Sequence, residues 1–329
     1  MGVKSLSKKS IRFIKRLDEV NMKKIFIDGS KGTTGLQIFE RLAQRKDIDL
    51  ITLPEELRKN ADARKEALNQ ADIAFLCLPD AESIEAVKMV ENKNTVIIDA
   101  STAHRTNDSW TYGFPELPCQ ADKIKHSKRI ANPGCHASGF IALVAPLVQY
   151  GLIAPNTILS AYSLTGYSGG GKKMISEYES DDRPALFEAP RIYGLTQNHK
   201  HIPEMQKVCG LKNAPLFSPI VSDFYKGMTT VVFLPARSLL GEMKDIKHLY
   251  KSLYVDGLVH FTENNDENGF LSAMAFANRD DMEVSVFGND ERITLVSRFD
   301  NLGKGASGSA IENMNIVMGL AKNTGLKIR

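Results

Sequence analysis

The stretch Ile25-Phe26-Ile27-Asp28-Gly29-Ser30-Lys31-Gly32-Thr33-Thr34-Gly35 joins a short apolar run to three evenly spaced glycines, and a helical pattern of apolar residues follows it as far as Leu42. The apolar run predicts a buried strand. Glycines between a strand and a helix permit a tight turn and let backbone N–H groups approach a pyrophosphate. The spacing differs from GxGxxG, but the position between a strand and a helix predicts a dinucleotide site. The candidate cofactor-binding residues are Gly29, Ser30, Lys31, Gly32, Thr33, Thr34 and Gly35.

Beyond this loop, strand-like runs alternate with helical patterns. The runs lie at residues 48–53, 71–78, 95–100 and 129–131. Such alternation is typical of βαβ units, so the predicted fold class is α/β with a Rossmann-type parallel sheet. The second run ends without an acidic residue for a ribose hydroxyl, and Arg58 and Lys59 follow it, which favours NADP over NAD.

The pattern changes after residue 134. Strand-like runs at 158–164, 229–234, 284–287 and 293–296 predict an antiparallel sheet in a second, α+β domain. A helical pattern at 309–322 is expected to return to the first domain. The predicted division is a basic extension at 1–21, a dinucleotide-binding domain at 22–134 completed by 303–329, and a second domain at 135–302.

Composition excludes several classes of partner. The chain has 329 residues, 43% of them hydrophobic, and its 42 Lys and Arg exceed its 39 Asp and Glu by three. Residues 1–21 hold six of the basic residues against two acidic ones, so the remainder is close to neutral. We therefore expect no nucleic acid partner, and no apolar run is long enough to span a membrane. The four cysteines lack paired or metal-ligand spacing, so we expect no disulfide, no metal and a cytoplasmic location.

One cysteine has a setting that suits a nucleophile. Cys135 follows Asn132-Pro133-Gly134 and precedes an apolar helical run. A thiol at a helix N-terminus lies at the positive end of the helix dipole, which lowers its pKa and favours the thiolate. A buried structural cysteine is the alternative interpretation. We expect Cys77, Cys119 and Cys209 to be structural.

Ionisable side chains are concentrated in Gln197-Asn198-His199-Lys200-His201-Ile202-Pro203-Glu204, which holds two imidazoles, an ammonium and a carboxylate. A histidine near a thiolate stabilises it and moves protons at neutral pH. The run therefore predicts an anion-binding or acid/base group, with metal binding as the alternative.

Two polar loops complete the candidates. Ser101 and Arg105 follow the predicted strand at 95–100, at the end where open α/β sheets bind ligands. An arginine there can hold a carboxylate or phosphate through two hydrogen bonds. The loop Ser168-Gly169-Gly170-Gly171-Lys172 offers backbone donors and a cation. An exposed turn is the alternative interpretation of each loop.

Together these motifs resemble the N-acetyl-gamma-glutamyl-phosphate reductases, a family of the arginine pathway, in their shorter form. The resemblance extends from Met22 to the C-terminal helical pattern. Its most specific motifs are 29–35, 132–135, 199–204 and 305–309, and residues 99–105 and 112–117 favour the short form. It implies a second domain like that of glyceraldehyde-3-phosphate dehydrogenase, which serves catalysis and dimerisation, and a homodimer or homotetramer.

The resemblance also implies the reaction, an NADPH-dependent reduction of an acyl phosphate to N-acetylglutamate 5-semialdehyde with release of phosphate. Cys135 would form a thioester and His199 would be the acid/base. The implied substrate-binding residues are Arg105, Ser168, His201 and Glu204, and the further cofactor-binding residues are Ser101, Gly308 and Asn313. Where the family usually carries Tyr or Phe and then Thr, this chain has His136 and Ser138. His136 and His201 therefore stay open as alternatives for the acid/base.

Three other functions compete with this one. Aspartate-semialdehyde dehydrogenase runs the same chemistry on a substrate one carbon shorter. A non-catalytic NADP-binding sensor would need the glycine loop but not Cys135, and a cysteine hydrolase would need Cys135 but not the loop. The oligomeric state and the attachment of the acyl group, free or carrier-linked, stay open at this level.

Overall fold

A computed structural model describes residues 22–328, so the predicted basic extension at 1–21 lies outside the described residues. The first part of the chain forms a six-stranded sheet with all strands parallel. Its strands are β1 (Lys23–Asp28), β2 (Ile48–Ile51), β3 (Ile73–Leu76), β4 (Val96–Asp99), β5 (Thr111–Tyr112) and β6 (Arg129–Ala131). Their order is β2-β1-β3-β4-β6-β5. The chain reverses its direction of winding beside β1, and the glycine loop leaves β1 at this switch point.

Helices cover both faces of this sheet because successive side chains of a strand point to opposite faces. These helices are α1 (Thr33–Leu42), α2 (Ala61–Gln70), α3 (Asp80–Lys88) and α4 (Gln120–His126). Ile25 and Ile27 pack in a core with α1 and α4, whereas Phe26 packs in a core with α2 and α3. The Rossmann-type architecture expected from the sequence is confirmed.

The second part of the chain contains a seven-stranded sheet and the helix that begins with Cys135. The helices are α5 (Cys135–Gln149), α6 (Gly171–Tyr178), α7 (Ile202–Val208) and α8 (Met243–Leu253). The strands are β7 (Ser160–Gly166), β8 (Arg191–Ile192), β9 (Leu216–Ser222), β10 (Met228–Pro235), β11 (Val259–Phe261), β12 (Met282–Gly288) and β13 (Arg292–Phe299). Their order is β11-β12-β13-β10-β7-β9-β8.

This sheet is mixed, so the prediction of an antiparallel sheet is wrong. β7 pairs with β9 and β11 with β12 in parallel, while the other neighbours are antiparallel. Parallel neighbours need a long connection, and the chain between β7 and β9 supplies one that contains α6 and α7. Apolar alternation reports which face a side chain occupies and carries no information on strand direction.

Helix α5 lies at the centre of the second core and is apolar around almost its whole circumference. It packs on one face of the sheet together with α7 and α8. Pro146 inside the helix has no N–H for the carbonyl oxygen of Ala142, and the hydroxyl of Tyr254 donates to that oxygen at 2.5 Å. The tertiary fold thus satisfies the backbone group that the proline leaves free, and Cys135 begins a rigid element.

The C-terminal helix α9 (Gly308–Met318) follows a π-helical segment, Gly303–Ser307. Ala310, Ile311 and Met314 of α9 are buried in the same core as the strands of the first sheet. The helix ends before the predicted limit of residue 322 because Gly319 adopts a left-handed conformation, with φ of 73°. Such a glycine is a common helix terminator.

Candidate active site

Two cavities open at the carboxyl ends of the first sheet. The larger, about 780 Å³, is lined by Gly29–Gly32, by residues 50–59 in part and by Cys77–Pro79, and we call it the glycine-loop cavity. The smaller, about 350 Å³, lies between the two domains and contains Cys135, and we call it the cysteine cavity. Thr33 and Thr34, the first residues of α1, line the smaller cavity. The glycine loop therefore separates two adjacent sites.

The glycine loop is shaped to bring backbone close to a ligand. Gly29 has φ of 85°, and a Cβ atom there would lie 2.3 Å from the carbonyl oxygen of Cys77. A Cβ atom on Gly35 would lie 2.3 Å from the carbonyl oxygen of Gly29. Gly32 is the N-cap residue of α1 and has no side chain to cap the helix. The first N–H groups of α1 are therefore available to an anion. These features fit the pyrophosphate of a dinucleotide.

Cationic side chains line the glycine-loop cavity together with the acidic Glu55 and Glu56. Arg58, Lys59 and Arg64 all line it. Arg64 forms a paired contact with Asp28 at 2.8 and 3.2 Å, and burial raises the pKa of Asp28 although Arg64 opposes that shift. Arg58 is paired with Glu55. Lys59 is exposed at the rim, so it is the cation best able to meet a ligand phosphate.

Cys135 occupies the first position of α5 and is half-buried. The turn that delivers it is crowded: a Cβ atom on Gly134 would lie 2.4 Å from both Arg105 Nη1 and His201 Nε2. A Cβ atom on Gly305, in the π-helical segment, would lie 2.9 Å from Cys135 Cβ. Glycine at both positions therefore lets Arg105, His201 and the C-terminal segment reach the cysteine.

The expectation of a net lowered pKa for Cys135 is wrong for this structure, although the helix N-terminus acts in the expected direction. Burial raises the pKa of the thiol above its ordinary value. The backbone N–H of His136 and the charges of Arg105 and Lys200 oppose the shift without cancelling it. Burial destabilises the thiolate by more free energy than the helix end and the two cations stabilise it.

A buried carboxylate organises the wall beside Cys135. Glu204 is 1% exposed and accepts hydrogen bonds from the Gly134 N–H at 2.9 Å, the Tyr112 hydroxyl at 2.6 Å and Arg105 Nη1 at 3.1 Å. Arg105 also donates to the carbonyl oxygens of Asn132 and Ala100, each at 2.9 Å. Arg105 is thus fixed by three elements, and Glu204 touches the turn that places the thiol.

Three histidines meet at the cysteine cavity. The ring centroids of His199 and His201 are 4.9 Å apart, and that of His136 is 5.3 Å from His199 and 5.5 Å from His201. Burial, with the charge of Lys200, lowers the pKa of His199 to about 4. The backbone N–H of His201 donates to His199 Nδ1 at 3.3 Å, so the neutral His199 ring carries its proton on Nε2.

The other residues singled out in the sequence fall into two groups. Ser168 lines the cysteine cavity and accepts a hydrogen bond from Asn301 Nδ2 at 3.0 Å. Ser101, Gly308 and Asn313 line neither cavity. Ser101 donates to Asp99 at 2.7 Å, and Asn313 Nδ2 donates to Asn132 Oδ1 at 3.1 Å. Asn313 therefore supports the turn before Cys135, and its contact with a cofactor stays a prediction.

Sequence reasoning did not assign two tyrosines to this site. Tyr112 and Tyr193 reach it from segments distant from Cys135 along the chain. Tyr193 lines the cysteine cavity, and its hydroxyl lies 2.7 Å from His136 Nε2. A single tyrosine between two loops carries no motif, so only the tertiary fold identifies it.

Within residues 22–328 no cluster of His, Cys, Asp and Glu side chains has the arrangement of a metal site. Over those residues no helix has the length and apolar character needed to cross a bilayer.

Comparison with known proteins agrees with this arrangement. The model of the semialdehyde dehydrogenase NAD binding domain matches residues 24–127, and that of the semialdehyde dehydrogenase dimerisation domain matches residues 135–301. The structure of aspartate semialdehyde dehydrogenase II from Vibrio cholerae, complexed with ASA, has a TM-score of 0.70 at 15% identity and covers 91% of this chain and 99% of its own. Aspartate semialdehyde dehydrogenase with NADP from Candida albicans has a TM-score of 0.64 at 15% identity, covering 92% and 99%. Both share the fold.

A dinucleotide-binding domain joined to this dimerisation domain defines the semialdehyde dehydrogenase class of oxidoreductases. N-acetyl-gamma-glutamyl-phosphate reductase 2 of Nostoc is 42% identical over 93% of this chain and 100% of its own length. The N-acetyl-gamma-glutamyl-phosphate reductase of Sinorhizobium medicae is 44% identical over 90% and 98%. The chain belongs to the N-acetyl-gamma-glutamyl-phosphate reductase family.

Proposed function

We propose that this chain reduces N-acetyl-gamma-glutamyl phosphate to N-acetylglutamate 5-semialdehyde with NADPH and releases phosphate, as a cytoplasmic enzyme of arginine biosynthesis. One observation carries the proposal: Cys135 begins α5 in a cavity that also contains Arg105, His199 and the first residues of α1. A nucleophile, a cation and a hydrogen-bond donor thus adjoin the loop suited to a dinucleotide. A non-catalytic sensor would not need the nucleophile, the cation or the hydrogen-bond donor. A cysteine hydrolase would not need the glycine loop.

The glycine loop is the proposed pyrophosphate site because Gly29–Gly35 places backbone and free helix N–H groups at the cavity wall. Lys59 suits the additional phosphate of NADP, whereas Arg58 is already paired with Glu55. The three residues that follow β2 are not acidic, and NAD would need an acidic residue there. When bound, the cofactor supplies the hydride. The contacts of Ser101, Gly308 and Asn313 with it are part of the proposal.

The first chemical step belongs to Cys135. The thiol first releases its proton to water, because His199 Nδ1 already accepts a hydrogen bond from the His201 N–H. The thiolate then attacks the acyl carbon, a carbon–sulfur bond forms, and the carbon–oxygen bond to phosphate breaks with its electron pair leaving on phosphate. The charges of Arg105 and Lys200 favour both the thiolate and the anionic substrate. The resulting thioester accepts hydride more readily than a carboxylate would, which explains why the reaction uses a sulfur nucleophile.

His199 is the proposed donor to the reacting oxygen. Because its ring is neutral at pH 7 with hydrogen on Nε2, it can hydrogen-bond to the oxygen on which negative charge develops. When the reduced species collapses, the carbon–sulfur bond breaks and the electron pair returns to Cys135. Arg105, Ser168 and His201, which line the cysteine cavity, are the proposed substrate-binding residues. Glu204 lines neither cavity, so its proposed part in substrate binding is exerted through Arg105.

We further propose a homodimer formed through the face of the second sheet that α5, α7 and α8 do not cover. Phe217 of β9 and Val232 of β10 point into the core, so Leu216 and Phe233 point to the opposite face, where they are 56% and 47% exposed. Large exposed apolar side chains on one face are typical of an interface. The matched dimerisation domain supports this assignment.

The decisive experiment is the NADP-linked, phosphate-dependent oxidation of N-acetylglutamate 5-semialdehyde by the purified chain. We expect turnover with this substrate, much less with aspartate semialdehyde, and loss of turnover in Cys135→Ser with NADP binding retained. A preference for aspartate semialdehyde would favour the shorter-substrate enzyme. Full turnover in Cys135→Ser would refute the thioester mechanism.

A further inference from the structure

A chain of hydrogen-bonded side chains leads from the second sheet to the cysteine cavity. Thr230 Oγ1 on β10 lies 3.0 Å from Ser163 Oγ on β7. Ser163 Oγ lies 2.9 Å from His136 Nδ1, and His136 Nε2 lies 2.7 Å from the Tyr193 hydroxyl. Tyr193 lines the cavity, and burial together with the nearby Cys135 raises its pKa, so its hydroxyl keeps its proton. None of the chemical steps proposed above uses these hydrogen bonds.

The donor and acceptor in each of these hydrogen bonds follow from the buried end at Thr230. Thr230 is fully buried, and within residues 22–328 its hydroxyl has Ser163 Oγ as its only hydrogen-bond partner. If Ser163 donated to Thr230, the Thr230 hydrogen would be buried without an acceptor, which is costly. Thr230 therefore donates to Ser163, and the Ser163 hydrogen is left for His136 Nδ1.

The tautomer of His136 then determines which atom donates in its hydrogen bond with Tyr193. Burial, with the charges of His199 and Lys200, lowers the pKa of His136 to about 3, so the ring is neutral. A neutral imidazole that accepts at Nδ1 carries its only hydrogen on Nε2. His136 then donates to the Tyr193 oxygen, and the Tyr193 O–H is free to point elsewhere. Since both ring nitrogens are engaged, His136 is unavailable as the acid/base.

We propose that His136 is a positioning residue, locked as the Nε2–H tautomer, that turns the Tyr193 O–H into the cysteine cavity as a hydrogen-bond donor to an acceptor oxygen of the acyl substrate. The substrate part rests on the proposed function, while the tautomer does not. The arrangement depends on a residue with one donor and one acceptor directly after the nucleophile. A tyrosine or phenylalanine at that position cannot accept from Ser163 and donate to Tyr193 through two ring nitrogens.

The tautomer is tested by long-range proton–nitrogen NMR of the full chain labelled with ¹⁵N-histidine, with His136→Phe used to assign the resonance. We expect the Nε2–H pattern, unchanged between about pH 5 and about pH 9. The Nδ1–H pattern, or titration within this range, would overturn the proposal. The measurement needs no substrate, so it stands apart from the outcome of the activity assay.

The positioning role is tested by a double-mutant cycle on kcat/KM. Tyr193→Phe should lower kcat/KM roughly tenfold, the size of one lost hydrogen bond of about 1.4 kcal/mol. His136→Phe should cause a similar loss, with no further loss when the two are combined. His136→Gln, whose amide can replace the Nε2–H donor, should recover most of the activity.

Tyr150→Phe is the matched control, because Tyr150 is 55% exposed and lies outside both cavities. We expect it to leave kcat/KM unchanged. Melting curves of all variants separate a loss of folding from a loss of positioning. Additive effects of the two substitutions, or no rescue by His136→Gln in a folded variant, would contradict the role assigned to His136.

Discussion

The charge on Cys135 is the residue-scale quantity on which the proposed chemistry depends. Burial disfavours the thiolate, while the His136 N–H and the cations Arg105 and Lys200 favour it. The thiol therefore stays protonated near neutral pH in the cofactor-free protein. An anionic substrate brings its own charge into this balance, so the cations must serve both the thiolate and the phosphate.

This balance predicts the alkylation profile of the cofactor-free chain. The rate of Cys135 labelling by iodoacetamide should continue to rise beyond pH 9.0, the ordinary value for a thiol, because burial raises its pKa. Lys200→Met removes a favourable charge and should move the profile to higher pH by about a few tenths of a unit. Lys212→Met, on an exposed lysine, should leave the profile unchanged. A plateau well below pH 9.0 would show that the helix end dominates after all.

His199 can be tested separately from Cys135. His199→Asn should lower kcat by roughly 10² to 10⁴, the usual effect of losing an acid/base or oxyanion donor. Labelling of Cys135 should persist because the thiol remains in the cavity. His248→Asn, an exposed histidine on α8, serves as the control. Normal kcat in His199→Asn would transfer the donor role to His201, because both nitrogens of His136 are engaged.

The residues that sequence could identify are those in short motifs. Cys135 and His199 each lie in a run whose composition indicates chemistry, and the structure places both in one cavity. Tyr193 and Tyr112 contribute single side chains from distant segments. No local pattern marks Tyr193, and the run 112–117 that contains Tyr112 indicates the short form of the family but no role for the tyrosine. The sequence also could not predict the pKa of Cys135, because burial depends on the packing of Gly305 and Arg105 around it.

At the scale of elements, the π-helical segment Gly303–Ser307 and helix α9 enclose a buried charge cluster. Lys304 is fully buried between Glu116 and Glu312. Burial, then the charge of Glu116, raises the pKa of Glu312 to about 8, although Lys304 opposes the shift. Burial also opposes ionisation of Glu116, but Lys304 holds its pKa below the usual value. At neutral pH Glu312 therefore keeps its proton while Glu116 is ionised.

This proton predicts a pH dependence of stability. Folded Glu312 keeps its proton to about pH 8, whereas unfolded Glu312 releases it near 4.5, so the free energy of unfolding should fall as pH rises between these values. Glu312→Gln mimics the protonated form and should be more stable than the wild type at about pH 8.5 by roughly 1 to 3 kcal/mol. Urea unfolding at several pH values measures this difference. Glu66→Gln, on an exposed side chain of α2, is the control. Parallel pH profiles for Glu312→Gln and the wild type would contradict the claim that folded Glu312 keeps its proton.

The sequence indicates nine of the thirteen strands found in residues 22–328, and it does not indicate β5, β8, β9 or β11. β6 occupies the predicted residues, and the other predicted strands differ mainly at their ends. Side-chain alternation and glycine punctuation act locally, so they locate a strand only where the local pattern is clear. The parallel pairing of β7 with β9 depends on a long connection whose path is set by tertiary packing.

At the scale of the whole molecule, the two domains are joined at several points. Arg41 of α1 donates to the buried Asp280 at 2.6 Å, and Asp280 also accepts from the backbone N–H of Lys327 at 2.8 Å. Within the first domain, Ser307 of the C-terminal segment donates to Gln37 of α1 at 3.0 Å. These contacts link the helix that follows the glycine loop to the segment behind Cys135. These contacts hold the glycine loop of the first domain next to Cys135 of the second.

The proposed dimer is tested at this scale by its mass in solution. Phe233→Lys places a charge at the centre of the exposed sheet face, where burying it against a partner without a counter-charge is costly. Light scattering coupled to size exclusion should then show a shift from twice the chain mass toward the single chain mass. Val255→Lys is the matched control, because Val255 is 65% exposed and follows α8, a helix that packs on the covered face of the sheet. If both variants keep the wild-type mass, the subunits meet through a different surface. If Phe233→Lys becomes monomeric but retains turnover, each chain carries a complete site, as expected when Cys135, His199 and the glycine loop all come from one chain.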